Sequence, residues 1–133
     1  MLVAVDTGAT KTLIVSFLQD GSAGKQSKIP TPKDEKEFVS ELTIEILDIL
    51  AGTSPTAISV GLPGRISPEG VLLDAGNLTW KNFDLRKELA KTFDCPILVE
   101  NDANLAGLAE TRLLKTIPPV SLYVTVSTGI GTG

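Results

Sequence analysis

Apolar positions along the chain come in short runs separated by Thr, Asn, Asp and Gly, and the runs have two rhythms. Leu2–Val5 and Thr12–Leu18 are strand-like, the second rich in Ile, Val and Leu. Asp6-Thr7-Gly8-Ala9-Thr10-Lys11 lies between them, so the two strands are expected to form a hairpin around a glycine-containing turn. Asp20-Gly21 marks the next turn, and Ser22–Ile29 reads as a third, polar edge strand. The rhythm then changes. Phe38, Leu42, Ile46, Ile49 and Leu50 recur at helical spacing. Thr31 as cap, Pro32 at the first helical position and Asp34 as capping-box partner put the helix start there. Gly52 ends it. Its apolar face must pack on something, and the preceding sheet is the natural partner.

Ala57–Val60 is another short strand, running into Gly61-Leu62-Pro63-Gly64. Arg65–Ser67 and Val71–Leu73 flank Pro68-Glu69-Gly70 as a small hairpin. Asp84 caps a second helix with Leu85, Leu89 and Phe93 on one face. Pro96–Val99 reads as a buried strand ending in Glu100-Asn101-Asp102. A third helix follows, with Ala103, Ala106, Ala109 and Leu113 expected inward. Pro118-Pro119 reads as a hinge, and Val120–Val126 as a last strand delivering a glycine-rich loop, Ser127–Gly133. Strands alternating with helices after an initial meander predict an α/β domain with a mixed sheet.

Composition narrows the chemistry. The chain has 133 residues, enough for one core. Lys and Arg total 12 against 16 Asp and Glu, a net charge of −4. That balance argues against a nucleic-acid or anionic-lipid partner, which needs clustered cations. With one Cys and no His, this chain can build no intrachain disulfide, no Cys/His zinc site and no His-based triad. No run approaches the ~20 apolar residues of a membrane helix, and no secretory leader pattern is present. A cytoplasmic protein is the expectation.

Three segments could carry chemistry. In Asp6–Lys11, Gly8 lets the backbone approach a ligand, and successive N–H groups of a tight turn can nest a phosphate. Thr10 and Lys11 add a hydroxyl and a positive charge, and Asp6 at a strand end could hold Mg²⁺ or its water shell. Ordinary hairpin residues are the competing reading. Ser127–Gly133 is a second cradle of alternating glycines. Glu100-Asn101-Asp102-Ala103-Asn104 sits where a strand gives way to a helix, where ligands of α/β sheets collect. Asp102 there is expected to stay ionised and to accept a hydroxyl proton during phosphoryl transfer. Asn101 could bond a sugar hydroxyl, and plain helix capping competes with both roles. A metal nuclease with Asp6 and Asp102 as metal ligands is a further alternative that the threonine-glycine loops do not suit.

Taken together and in order, these segments resemble the sugar kinases of the ROK family (repressor, open reading frame, kinase), within the actin/hexokinase superfamily. Val3–Thr12 is similar to the first phosphate motif, Ala57–Gly64 to the strand and substrate loop, and Gly76–Trp80 to the Asn-containing sugar loop. Glu100–Asn104, with Gly107 and Glu110 behind it, resembles the catalytic segment, and Tyr123–Gly133 the second phosphate motif. The resemblance implies a ribonuclease-H-like (actin-like ATPase) domain with a mixed β-sheet and helices on both faces. It implies transfer of the ATP γ-phosphate to the 6-hydroxyl of a hexose or N-acetylhexosamine, with Mg²⁺. Asp102 matches the catalytic base. Asn101 and Asn77 match sugar ligands, with Gly61 or Gly64 giving backbone contacts. Gly8, Thr10 and Lys11 match the first phosphate loop, and Thr128, Gly129 and Gly131 the second. Asp6 matches the metal-associated carboxylate. Kinases of the family are about twice this length. Residues 1–118 are therefore expected to form the first domain, and 119–133 the opening strand and phosphate loop of a second. The fragment alone is expected to be inactive, and its last strand, left unpaired, to lean on another copy. With the first strand starting at Leu2, no DNA-binding helix-turn-helix is expected before it, which favours the kinase branch over the family's repressor branch. A non-catalytic module that senses sugar or nucleotide is the alternative.

Overall fold

The computed structural model describes residues 1–126 and 130–133. Strands β1 (Leu2–Thr7), β2 (Lys11–Phe17) and β3 (Ala23–Pro30) form the expected meander. Helix α1 (Glu35–Leu50) follows, then β4 (Ala57–Leu62). Strands β5 (Arg65–Ile66), β6 (Leu72–Asp74) and β7 (Lys81–Phe83) come next. Helix α2 (Leu85–Leu89), strand β8 (Ile97–Asn101) and helix α3 (Asp102–Arg112) complete the main body. Strands β9 (Val124–Val126) and β10 (Ile130–Thr132) form a terminal hairpin.

The main sheet has the order β3-β2-β1-β4-β8. β1 is antiparallel to β2 and parallel to β4, and β4 is parallel to β8. The sheet is therefore mixed, and its parallel half is reached by crossovers through α1 and α2. Alternation in β1 sends Val3, Val5 and Thr7 to one face, and Leu2, Ala4 and Asp6 to the other. Phe38, Leu42, Ile46, Ile49 and Leu50 of α1 cover the first face and are almost fully buried. Leu85 and Leu89 of α2 extend that core. α3 covers part of the opposite face, where Leu105 approaches Gly61. Helices thus lie on both faces, as expected.

Four expectations need correction. α1 begins later than the Thr31-Pro32 pattern implies. Its N-cap is Asp34, which accepts from the N–H groups of Lys36 and Glu37 at 3.0 Å each. Thr31 is drawn instead into a partly buried bond with the Gly8 carbonyl. α3 buries Ala103 and Gly107, whereas Ala109 is exposed and Leu113 is 81% exposed at the helix end. The small hairpin gains a third strand, β7, paired with β6. Lastly, the terminal strand covers only Val124–Val126, and it is paired with β10 instead of being left without a partner.

Candidate active site

The carboxyl ends of β1, β4 and β8 lie side by side. The register sets Asp6 beside Gly61 and Gly61 beside Glu100. Gly61, expected in a loop, is the penultimate residue of β4. A Cβ there would lie 3.6 Å from Asp102 Cα and 3.4 Å from Leu105 Cδ1, ordinary contact distances. The first turn of α3 thus packs closely over this end of β4. Asp6 and Asp102 consequently line one cavity of about 250 Å³, with Ala103, Ala106, Tyr123, Thr125 and Gly131. Partial burial, and then the neighbouring Asp102 carboxylate, push the Asp6 pKa above its ordinary value.

Asp102 is the first residue of α3, and its Oδ1 accepts from the Ala103 N–H at 2.8 Å. Asn101 is the N-cap, its Oδ1 accepting from Asn104 N at 3.0 Å. Its Nδ2 donates to the Gly64 carbonyl at 2.8 Å. The capping reading is thus the one realised for Asn101, with one amide hydrogen and one lone pair to spare. Glu100 Oε1 accepts from Asn101 N at 2.7 Å and from Asn104 Nδ2 at 3.0 Å, bracing the same turn. Gly64 must be glycine. Its φ is +104°, and a Cβ would collide with the Asp74 carbonyl.

The remaining candidates are placed less centrally. Gly8 N donates to Lys11 O at 2.9 Å, closing the β1–β2 turn. Thr10 and Lys11 line a separate groove with Lys28, Ile29 and Pro30. Asn77 is exposed in the β6–β7 loop and does not line the acidic cavity. Thr128 and Gly129 lie outside the described residues. Tyr123 and Thr125 line the cavity; they lie in the Tyr123–Gly133 segment matched to the second phosphate motif, but neither was named as a site residue. Besides that match, their signal is position: they alternate on the run preceding the glycine loop. Tyr123 Cβ would be 2.8 Å from a Cβ on Gly107, so that glycine seats the terminal hairpin on α3.

Among the described residues no three His, Cys, Asp or Glu side chains converge on a metal site. Two carboxylates on one cavity do fit Mg²⁺, which is commonly held by one or two carboxylates together with substrate phosphates. Among the described residues no helix is long and apolar enough to cross a membrane.

The sequence model of the ROK family matches residues 2–133. The chain belongs to the ROK family. It is 29% identical over 142 residues to a glucokinase of Halalkalibacterium halodurans, covering 98% of this chain and 42% of that protein. It is 29% identical over 137 residues to an N-acetylmannosamine kinase of Vibrio cholerae, covering 98% and 46%. A xylose repressor of Caldicellulosiruptor bescii is 31% identical over 107 residues, covering 75% and 27%. Among solved ROK structures, the Streptomyces griseus glucokinase in complex with glucose and AMPPNP superposes with TM-score 0.82 at 25% identity, covering 99% of this chain and 43% of that one. The Thermus thermophilus ROK hexokinase gives TM-score 0.81 at 33% identity, covering 99% and 45%. The fold is therefore the actin-like α/β fold of ROK proteins. The chain spans less than half the length of these relatives, and the family holds both sugar kinases and repressors.

Proposed function

We propose that the chain is the N-terminal half of an ATP-dependent sugar kinase whose substrate is a hexose or an N-acetylhexosamine. The observation that carries this reading is the placement of Asp102. It opens α3, faces a cavity at the carboxyl ends of parallel strands, and shares that cavity with Asp6. Only its Oδ1 accepts a hydrogen bond among the described residues, which leaves Oδ2 for a substrate hydroxyl. In the proposed reaction Asp102 takes the proton of the sugar 6-hydroxyl. That oxygen bonds to the γ-phosphorus, the bond to the bridging oxygen breaks, and ADP leaves. The spare hydrogen and lone pair of Asn101, with Asn77 and the backbone of Gly61 and Gly64, would hold the sugar. Gly8, Thr10, Lys11, Thr128, Gly129 and Gly131 would hold phosphates. Asp6 would meet Mg²⁺ directly or through water, and the ion would neutralise charge on the phosphates. Residues 119–133 would begin the second domain. Without the rest of that domain the cleft has one wall, so this chain alone would have negligible activity. The reaction calls for a cytoplasmic setting, where ATP is supplied.

A second reading is a non-catalytic module that senses sugar or nucleotide. Similarity to a xylose repressor favours it. The test is sugar-dependent ADP release by the intact protein carrying this chain, across a panel of hexoses and N-acetylhexosamines. Turnover with one of them supports the kinase. Sugar or ATP binding with no turnover on any supports the sensor.

A further inference from the structure

Residues 31–34, between β3 and α1, take no part in the proposed chemistry, yet two ligand loops hang from them. Thr31 is 8% exposed. Its N–H donates to the Thr10 carbonyl at 3.0 Å, and its Oγ1 donates to the Gly8 carbonyl at 2.8 Å. Thr31 Oγ1 also lies 2.9 Å from Thr12 Oγ1. Since the Thr31 hydroxyl proton is spent on Gly8, Thr12 is the donor of that pair. Thr7, opposite Thr12 in the β1–β2 register, adds another buried hydroxyl, one without a partner among the described residues. The base of the phosphate-type turn is therefore a buried polar layer, and losing one hydroxyl would strand others. Two residues further on, the Lys33 carbonyl accepts from Trp80 Nε1 at 2.8 Å and from Thr79 Oγ1 at 3.0 Å. Glu35 Oε1 accepts from Lys81 N at 3.1 Å. Trp80 is fully buried, its ring centroid 4.5 Å from that of Phe38 and 5.7 Å from that of Phe83. The loop bearing Asn77 is thus fastened to the segment that fastens Gly8 and Thr10.

We propose that this connection is a shared anchor that sets the spacing between the Gly8–Lys11 turn and the Asn77–Trp80 loop. Thr31 is the positioning residue at one end and Trp80 at the other. The assignment of phosphate to one loop and sugar to the other rests on the kinase reading, but the anchor itself is a property of these hydrogen bonds. Loosening either end loosens the other.

Site-resolved amide hydrogen exchange on the chain itself tests this. Thr31→Val keeps the shape and removes the hydroxyl; Thr31→Ser keeps the hydroxyl. The valine variant is expected to speed exchange at Gly8 about fivefold, the loss of one buried hydrogen bond, while serine stays close to wild type. Trp80→Phe is expected to speed exchange at residues 79–81 and also at Gly8. Should Trp80→Phe unfold the core, Thr79→Val removes a bond to the same carbonyl and leaves the aromatic cluster whole. Equal behaviour of the two Thr31 variants overturns the proposal, as does a Gly8 rate indifferent to both changes at Thr79 and Trp80. If the exchange shifts occur but the intact protein releases no ADP with any sugar, the kinase reading fails and the anchor stands.

Discussion

The two faces of the main sheet differ sharply. On the α1 side Val3, Val5, Ile14, Ile58 and Val60 are at most 4% exposed. On the α3 side Leu2 is 49% exposed and Leu98 is 55% exposed, and Asp6, Gly61 and Glu100 stand in a row across the strand ends. Neighbouring residues of one strand thus serve opposite ends. Val5 is buried and Asp6 faces the cavity; Val60 is buried and Gly61 lies under α3; Val99 is buried and Glu100 braces the first turn of α3. The two-residue period of a strand lets one face pack into the core while the other is left open at the strand ends.

The largest break in this comparison comes from the closed side. Trp80→Ala removes a fully buried ring from the α1 core and is expected to cost about 3–5 kcal/mol in urea unfolding. Leu98→Ser on the open face should change stability by less than about 0.5 kcal/mol in the same experiment. Similar losses for the two would erase the distinction between faces. Next in size is Gly64→Ala, expected to cost about 1–3 kcal/mol through its positive φ alone, with further loss from the collision at Asp74. It should also free Asn101 Nδ2, visible as a side-chain amide shift in NMR. The smallest effect concerns Asp6. Its folded pKa is raised, so the folded state holds that proton more tightly than the unfolded state does. The associated stability is complete below the ordinary aspartate pKa and is lost as pH rises through the raised value. Asp6→Asn should therefore melt higher than wild type at neutral pH, with the gap closing below about pH 3.5. A gap of constant size would show that the Asp6 charge carries no penalty in the fold.

Much of this was legible in the sequence because it is local. Helical spacing from Phe38 to Leu50 named the face of α1 that is buried, and Asp84 caps α2 by accepting from Lys87 N. The turn at Glu100–Asn104 was also visible as a motif, and Asp6 and Asp102 do share a cavity. What escaped was tertiary. Thr31 and Pro32 make a sound local helix start, but a carbonyl more than twenty positions back claims the Thr31 hydroxyl. Strand β7 shows no alternation long enough to read, and it exists because β6 is there to pair with it. Leu113 continues the helical spacing of α3 past the point where the helix ends. Tyr123 and Thr125 join the cavity only because the terminal hairpin folds back over Gly107.

The central claim, that the open face is a phosphoryl-transfer site with Asp102 as its base, is tested most directly by Asp102→Asn in the intact protein. Steady-state turnover and calorimetric binding of sugar and ATP should be measured side by side. The account predicts kcat lower by about 10²–10⁴, with both affinities within about twofold of wild type. Turnover close to wild type, with binding intact, would contradict it.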